Sequence, residues 1–259
     1  MSVNLSVIVP AFNEVKSIGR TLDSIGEHLH ALGHDYELIV AADGNDGTRE
    51  LVSERARVDG RIVVIGSSER RGKGRGIREG VHLARGSVVG FVDADYKTPI
   101  EEIEKILPHL RAGFDVVIGS RGLADSKVEV PQRLYRRIGS RAFGLAMHSI
   151  LGLWGIRDTQ CGFKFFRGDV ARDLFSRQRI DGYMFDVEIL HLAQRAGYSI
   201  KEVGVRWHDD GDSRLDLVAG NWRNMVDIVR IRLGRNSIEE TKSQVAPPSG
   251  AVVSEEKAG

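Results

Sequence analysis

The chain has 259 residues, of which 41% are hydrophobic and 28% charged, and its 37 lysines and arginines nearly balance 36 aspartates and glutamates. This composition is typical of a soluble globular protein with a sizeable core. The net charge of only +1 argues against a dedicated nucleic-acid binder. No run of about 18 apolar residues and no signal-peptide pattern occurs. The single cysteine, Cys161, excludes an internal disulfide, so a cytoplasmic location is expected.

Two hydrophobic periods alternate in the first half of the chain. Apolar runs rich in β-branched residues predict buried strands, and apolar residues spaced by three or four predict amphipathic helices. The predicted strands are 3–9, 36–42, 61–66, 87–92 and 115–118, and the predicted helices are 18–32, 48–58, 74–84 and one that starts at Pro99. Single helices between strands form βαβ units, so we expect an α/β fold with a mostly parallel, Rossmann-like sheet flanked by helices.

The alternation breaks after residue 120. The pattern predicts a polar loop over 121–132, helix over 133–154, a strand at 160–166, a helix at 184–196, a strand at 200–206 and a last helix at 221–233. Residues from 236 onward contain Pro247, Pro248 and scattered Ser, Gly and Glu, which is typical of disorder. We therefore expect one folded domain over 1–235 and a disordered tail over 236–259.

Segments that contain acidic, basic or turn-forming residues follow four of the predicted strands. Ligands of such sheets bind beyond the carboxyl ends of the strands, so these residues are candidates for one site. They are Pro10, Ala11, Phe12, Asn13 and Glu14, then Ala42, Asp43, Gly44, Asn45 and Asp46, then the basic stretch 70–76, and then Asp93, Ala94 and Asp95. The alternative is that these Asn, Asp and Gly residues only form turns and helix caps.

The stretch 70–76 is rich in glycine and positive charge but fits neither common nucleotide motif. A P-loop needs Ser or Thr where this chain has Gly74, and a dinucleotide motif counted from Gly74 needs glycine where it has Glu79. What remains is a basic turn leading into a helix N-terminus, which suits a phosphate group.

Asp93 and Asp95 are carboxylates two residues apart, directly after an apolar strand. They would repel each other unless a cation lay between them. Mg²⁺ and Mn²⁺ take carboxylate oxygens together with substrate phosphates. The pair therefore predicts a divalent metal site, although the D-x-D pattern alone also occurs by chance.

Six segments carry a resemblance: SVIVPAFNE, the Asp43-Gly44 turn, RGKGRGIREG, VDAD, GSR at 119–121 and DTQCGFKFF at 158–166. Together they resemble the family-two glycosyltransferases of GT-A fold. More narrowly they resemble the dolichyl-phosphate (polyprenyl-phosphate) hexose synthases. The resemblance covers about residues 3–233 in order. DTQCGFK is closer to the dolichyl-phosphate β-glucosyltransferase branch than to the mannose branch.

This resemblance implies a role for each matching position. The nucleotide sugar would be bound by Pro10, Phe12, Glu14, Asp43, Lys73, Asp93, Ala94 and Asp95, and the metal by Asp93 and Asp95. The acceptor phosphate would be bound by Arg121, Arg133, Ser213 and Arg214. The catalytic residues would be Asp95, Asp158, Arg121 and Arg214. Two positions depart from the family pattern. Ala42 replaces the first aspartate of the usual Asp-Asp-Gly, and Lys97 stands where the mannose enzymes carry a metal-binding glutamine.

Several residues have two interpretations. Asp158, Asp186 and Glu188 are candidates for the sugar pocket or a general base, whereas Asp186 could instead cap a helix. Cys161 is interpreted as a small buried hydrophobe. His208 with Asp209 and Asp210 is interpreted as a solvated turn, with a metal cluster as the alternative.

The expected reaction is inverting transfer of a hexose from a nucleotide sugar, UDP-glucose, to a polyprenyl phosphate. A phosphate monoester, with a second pKa of about 6, is already largely anionic at neutral pH, so a strong general base is optional. The alternatives are a GT-A enzyme with a soluble hydroxyl acceptor, which needs a base, mannosyl transfer from GDP-mannose, and a non-catalytic nucleotide-sugar-binding protein. The oligomeric state stays open.

The region 133–154 raises the question of membrane contact. Four arginines, Arg133, Arg136, Arg137 and Arg141, precede an almost uncharged, largely apolar run of 13 residues at 142–154, which ends at Trp154. Thirteen helical residues rise only about 20 Å, too little to span a bilayer. The run is either a buried core helix or a helix lying at the membrane surface, with arginines on lipid headgroups. The second interpretation predicts peripheral attachment at the cytoplasmic membrane face.

Overall fold

The computed structural model describes residues 4–128, 144, 147–208 and 219–234. The strands are β1 Leu5–Phe12, β2 Tyr36–Asp43, β3 Ile62–Ile65, β4 Val88–Val92, β5 Val116–Ser120, β6 Lys127–Val128, β7 Phe163–Arg167, β8 Ile200–Gly204 and β9 Arg206–Trp207. The helices are α1 Ile18–Ala31, α2 Thr48–Val58, α3 Lys73–Leu83, α4 Ile103–Arg111, α5 Gly168–Ser176, α6 Phe185–Ala196 and α7 Ala219–Leu233, and a 3₁₀ turn at Ile100–Glu102 precedes α4.

Seven strands form the central sheet in the order β3-β2-β1-β4-β7-β5-β8. All neighbouring pairs are parallel except those of β7, which runs antiparallel to both β4 and β5. The carboxyl ends of β1, β2, β4 and β5 therefore lie at one edge, and the amino end of β7 lies at the same edge. The short strands β6 and β9 pair in parallel separately.

Helices cover both faces of the sheet, as the alternating buried positions of β1 require. Val7 and Val9 pack with α1 and α4 on one face, whereas Ile8 packs with α3, α5, α6 and α7 on the other. A Cβ on Gly80 would overlap the side chain of Ile8, so the glycine lets α3 lie close to β1. Fully burying one such aliphatic side chain contributes about 1.5–3 kcal/mol, and most of β1 is buried.

The α/β class, the mostly parallel sheet and the flanking helices are confirmed, and three local predictions need correction. The predicted polar loop 121–132 contains β6, the segment after β7 forms the unpredicted helix α5, and the helix expected from Pro99 begins as a 3₁₀ turn. Pro99 has extended backbone and precedes that turn.

The expected surface helix over 133–154 is described only in part. The helix ends at Leu151, and Met147, Leu151 and Leu153 are buried in the core, so these side chains cannot lie in a membrane surface. Trp154 follows the helix and is 63% exposed. The structure does not describe residues 129–143, 209–218 or the tail from 235, which include Arg133, Ser213 and Arg214. Over the described ranges, no helix combines the length and apolarity that crossing a bilayer requires.

Candidate active site

The edge of the sheet where β1, β2, β4 and β5 end carries the predicted polar residues. Asp93 and Asp95 follow β4 directly, and the Asp93 amide donates to the carbonyl of Gly162, just before β7. A Cβ on Gly162 would overlap the Asp93 carboxylate. The DTQCGFK segment is therefore packed against the acidic pair, and its glycine makes room for Asp93.

A lysine contacts each carboxylate of the acidic pair. The Lys73 Nζ atom, at the start of α3, lies 2.6 Å from Asp93 Oδ1. The Lys97 Nζ atom lies 3.2 Å from Asp95 Oδ2. The backbone turns at this pair, because the Tyr96 N–H donates to the Asp93 carbonyl at 3.2 Å and Tyr96 has a φ of 57°, in the left-handed region. The two carboxylates are close enough to influence each other, and both act on the Lys73 ammonium group.

Burial shifts the ionisation of this cluster. Burial, and then the neighbouring Asp93 carboxylate, raises the pKa of Asp95. Burial alone would lower the pKa of Lys73, but the carboxylates of Asp93 and Asp186 outweigh it and raise that pKa. Lys73 is thus held as a cation beside the acidic pair.

Arg121, after β5, is fixed by Asp158. The Arg121 Nε and backbone N–H donate to Asp158 Oδ2 at 2.7 and 2.9 Å, and the second guanidinium arm donates to Oδ1 at 2.9 Å. The guanidinium carbon also lies 5.4 Å from the centre of the Trp207 ring. Burial would raise the pKa of Asp158, but the hydrogen bonds from Arg121 outweigh it and lower that pKa.

The β1 and β2 ends form the other side of the edge. Phe12 is partly exposed there, and the Arg70 guanidinium carbon lies 4.6 Å from the centre of its ring. Arg70 also donates to the hydroxyl of Tyr183 at 2.8 Å. Pro10 is partly exposed on the same face of β1 as Phe12. This aromatic and cationic surface suits the planar nucleobase of a nucleotide.

Asp43 and Glu14 make contacts that the sequence did not predict. Asp43 accepts the backbone N–H groups of Ser67 and Arg71, at 3.1 and 2.8 Å, and so holds the loop between β3 and α3. Glu14 accepts the Ser17 hydroxyl at 2.7 Å, near the start of α1. Both carboxylates therefore shape the loops of this edge.

The remaining described candidates are buried. Ala94 is 3% exposed and packs in the core, so its side chain does not face the edge. Glu188 accepts the backbone N–H groups of Arg179 and Ile180. Cys161 is buried, as predicted for a small hydrophobe. Asp186 is buried in an ion pair with Lys164.

The acidic pair fits a hard divalent cation. It offers carboxylate oxygens, the ligands that Mg²⁺ and Mn²⁺ prefer, at a partly exposed position that Gly162 keeps open. Within the described ranges, no group of three or more His, Cys, Asp or Glu side chains is placed to hold a metal. The pair would therefore need further oxygen ligands from substrate or water.

Three further contacts of the site were not predicted from the sequence. They are the Lys164 partner of Asp186, the Arg70 and Tyr183 contact at Phe12, and the Trp207 ring beside Arg121. Lys164 carries a usable signal, because a charged residue within the apolar run FKFF interrupts a predicted strand. The other two contacts join distant segments and leave no local pattern.

Comparison with known proteins decides the family. The model of Glycosyl transferase family 2 matches residues 6–175, most of the chain. The chain belongs to glycosyltransferase family 2. This glycosyltransferase is 34% identical over 244 residues to the dolichyl-phosphate beta-glucosyltransferase of Dictyostelium discoideum, covering 89% of this chain and 74% of that protein. It is likewise 34% identical to the Mus musculus dolichyl-phosphate beta-glucosyltransferase, covering 88% of this chain and 75% of the relative.

Solved structures confirm the GT-A fold. Glucosyl-3-phosphoglycerate synthase from Mycobacterium tuberculosis, in complex with Mn²⁺, UDP-glucose and phosphoglyceric acid, superposes with a TM-score of 0.66 at 21% identity, covering 90% of this chain and 80% of that one. Mannosyl-3-phosphoglycerate synthase from Rubrobacter xylanophilus gives a TM-score of 0.64 at 17% identity, covering 96% of this chain and 79% of that one. These neighbours share the architecture into which the site residues are built.

Proposed function

We propose that this glycosyltransferase transfers glucose from UDP-glucose to the phosphate of dolichyl phosphate or another polyprenyl phosphate, with inversion at the anomeric carbon. The two relatives at 34% identity described above are named dolichyl-phosphate beta-glucosyltransferases, which supports glucose as the sugar and a lipid phosphate as the acceptor. The observation that carries the choice of a phosphate acceptor is the engagement of Asp158 by Arg121.

A carboxylate held in this way is a weak base. Its pKa is lowered, and both oxygens accept hydrogen bonds from Arg121. A hydroxyl acceptor needs a base to remove its proton, whereas a phosphate monoester, with a second pKa of about 6, is already largely anionic at neutral pH. One of its oxygens forms the bond to the anomeric carbon as the bond to UDP breaks, and the electron pair leaves with UDP. No proton has to be removed.

The donor side of the reaction is assigned to the β1, β2 and β4 ends. Asp93 and Asp95 would hold Mg²⁺ or Mn²⁺, which when bound neutralises charge on the leaving diphosphate. Lys73 adds a fixed positive charge beside them. The Phe12 ring and Arg70 provide the surface for the nucleobase of the donor. Asp43 orders the loop that carries Arg70.

The acceptor side is assigned to Arg121, with Arg133, Ser213 and Arg214 as further phosphate-binding candidates outside the described residues. Guanidinium groups bind phosphate through paired hydrogen bonds. Arg121 is suited to this because Asp158 and Trp207 fix its orientation. In this proposal Asp158 is a positioning residue for Arg121.

A donor panel tests the function. The purified protein is incubated with radiolabelled UDP-glucose, UDP-galactose or GDP-mannose, Mg²⁺ or Mn²⁺, and polyprenyl phosphate in liposomes. We expect butanol-extractable label from UDP-glucose only. Label from GDP-mannose would favour the mannosyl alternative. Label found only on an added soluble acceptor would refute the lipid acceptor, and binding without turnover of any donor would favour the non-catalytic alternative.

A lipid acceptor also requires peripheral contact with a membrane, and we propose Trp154 as part of that contact. Trp154 is exposed, and its ring stacks on His148 with centroids 5.9 Å apart. Liposome flotation tests this: wild-type protein should float with anionic vesicles at low salt, and both Trp154→Ala and the Arg136→Glu, Arg137→Glu double variant should float less. Wild-type protein that stays in solution even at low salt would refute the contact.

A further inference from the structure

A lysine occupies a position in the middle of the sheet that normally carries an apolar side chain. Lys164 lies in β7, between β4 and β5, and its side chain is 0% exposed. Its ammonium group donates to the Asp186 carboxylate and, at 2.9 Å, to the carbonyl of Cys161. It also lies 5.4 Å from the centre of the Phe91 ring. Burying a charge is costly even when it is paired, so packing alone does not explain the lysine.

Lys164 is the inner end of a chain of alternating charges. Asp186, on α6, pairs with Lys164. The start of α6 packs against the start of α3: the Lys73 Nζ atom lies 5.9 Å from the centre of the Phe185 ring, and a Cβ on Gly74 would overlap Phe185 Cβ. Asp186, the residue after Phe185, accordingly interacts electrostatically with Lys73. Lys73 in turn forms its ion pair with Asp93 at the edge of the sheet. The order from the sheet interior to the site is therefore Lys164, Asp186, Lys73 and Asp93.

We propose that Lys164 and Asp186 are positioning residues for the transfer reaction: Asp186 holds the Lys73 ammonium group beside Asp93, and Lys164 supplies the opposite charge that the buried Asp186 needs. The inference rests on the proposed function, in which Lys73 and Asp93 bind the donor diphosphate. It assigns a role in donor binding to two side chains that lie beneath the site.

A purely structural pair would behave differently. Replacing both members of a buried ion pair by apolar residues is often neutral or stabilising, whereas removing one member leaves an uncompensated buried charge. The Lys164→Met, Asp186→Leu double variant should therefore fold. If the pair served stability alone, this variant would also bind UDP normally.

The chain offers a matched control at the opposite end of the sheet. Glu37 is 2% exposed and accepts the Ser6 hydroxyl at 2.6 Å near the amino end of β1. It also pairs with Arg85. The Ser6→Ala, Glu37→Met variant removes a similarly buried polar group far along the strand from the donor site.

UDP affinity in the presence of Mn²⁺ is measured by calorimetry, which needs no acceptor, together with thermal unfolding. We expect the Lys164→Met, Asp186→Leu variant to unfold cooperatively and to bind UDP with Mn²⁺ roughly 10- to 100-fold more weakly, the range seen when the partner that orients a metal-site residue is lost. The control variant should keep wild-type affinity. In turnover assays, the KM for UDP-glucose should rise while the KM for the polyprenyl phosphate stays unchanged.

A double-mutant cycle with Lys73→Met completes the test. If the buried pair acts through Lys73, then Lys73→Met should weaken UDP binding in the wild type but have little further effect in the double variant, because coupled residues are not additive. Additive losses, or wild-type affinity in the double variant, would overturn the inference. If the double variant does not fold, the Lys164→Met, Asp186→Asn variant, which also removes both charges and keeps the shape of the Asp186 side chain, enters the same cycle with the same criteria. An acceptor other than polyprenyl phosphate would refute the proposed function without changing this cycle.

Discussion

The ion pair between Arg121 and Asp158 allows a quantitative prediction for Asp158→Asn. Asp158 accepts the three Arg121 hydrogen bonds described above and a fourth from the backbone N–H of Gln160 at 3.2 Å. Asparagine keeps one accepting oxygen and turns an NH₂ group towards the other donors. It also leaves the Arg121 guanidinium, 31% exposed, without its counter-charge.

The expected cost follows from these contacts. Breaking a buried pair by removing one member costs about 3–5 kcal/mol, and the partial exposure of Arg121 places this pair at the lower end, about 3 kcal/mol. For a chain of this size, that corresponds to a decrease in Tm of roughly 6–12 °C. Asp59→Asn is the matched control, because it removes the acidic member of a more exposed Arg–Asp pair: the Arg61 side chain is 47% exposed and the Asp59 side chain 33%. An exposed pair contributes less than about 1 kcal/mol.

The pH dependence has a definite sign. The pKa of Asp158 is lowered in the folded state, so its stabilisation is complete above the ordinary aspartate pKa of about 3.9 and is lost as the pH falls through the lowered value. Urea unfolding should show a constant gap between wild type and Asp158→Asn from pH 5 to 8, and a shrinking gap below about pH 4. A gap as small as that of Asp59→Asn at pH 7 would refute the reasoning.

Three further outcomes are expected. Asp95→Ala should lower glucose transfer by about a hundredfold or more with little change in Tm, and near wild-type turnover with Mn²⁺ would contradict the metal assignment. Gly90→Ala should lower the free energy of unfolding by about 1–3 kcal/mol, because the new Cβ would overlap the Phe165 ring; an unchanged urea midpoint would contradict this. Burial raises the pKa of the Cys161 thiol to about 12, so a thiol reagent at pH 8 should react only after unfolding, and rapid labelling of the native protein would count against it.

Local patterns were sufficient for much of the fold. The α2 helix runs from Thr48 to Val58, as its pattern predicts. Its periodicity lies within the segment, and the turn-forming residues Gly47 and Asp59 directly flank it, so local sequence defines both its type and its ends. The α5 helix was missed although Val170, Ala171, Leu174 and Phe175 form an apolar stripe. Its start at Gly168 directly follows β7, with Arg167 in extended conformation and no side-chain cap to mark the boundary.

The direction of β7 could not be predicted, because its apolar run looks the same in either orientation. Strand direction follows from the neighbours: β7 lies between β4 and β5 and is antiparallel to both. This reversal brings Gly162, at the amino end of β7, to the edge where β4 ends. The contact between Gly162 and Asp93 thus depends on topology and not on local pattern.

The chemical residues of the site were easier to predict than their partners. Asp93, Asp95 and Lys73 stand where strands and helices begin or end, which the sequence reveals. Asp158 is 37 residues from Arg121, and Asp186 is 22 residues from Lys164. Such pairs are set by packing between elements, and the periodicity of one element contains no information about the other.

The paired charges around the sheet edge bear on the need for a divalent cation. Among the described residues, Asp93, Asp95, Asp158 and Asp186 each pair with one cation, namely Lys73, Lys97, Arg121 and Lys164. Within each pair the positive charge balances the negative charge before any substrate binds. A nucleotide-sugar diphosphate adds a negative charge on each phosphate, and in a partly buried site such charge must be compensated. A divalent cation held by the acidic pair and by the phosphates supplies that charge, which is why the proposed function joins the donor to Mg²⁺ or Mn²⁺.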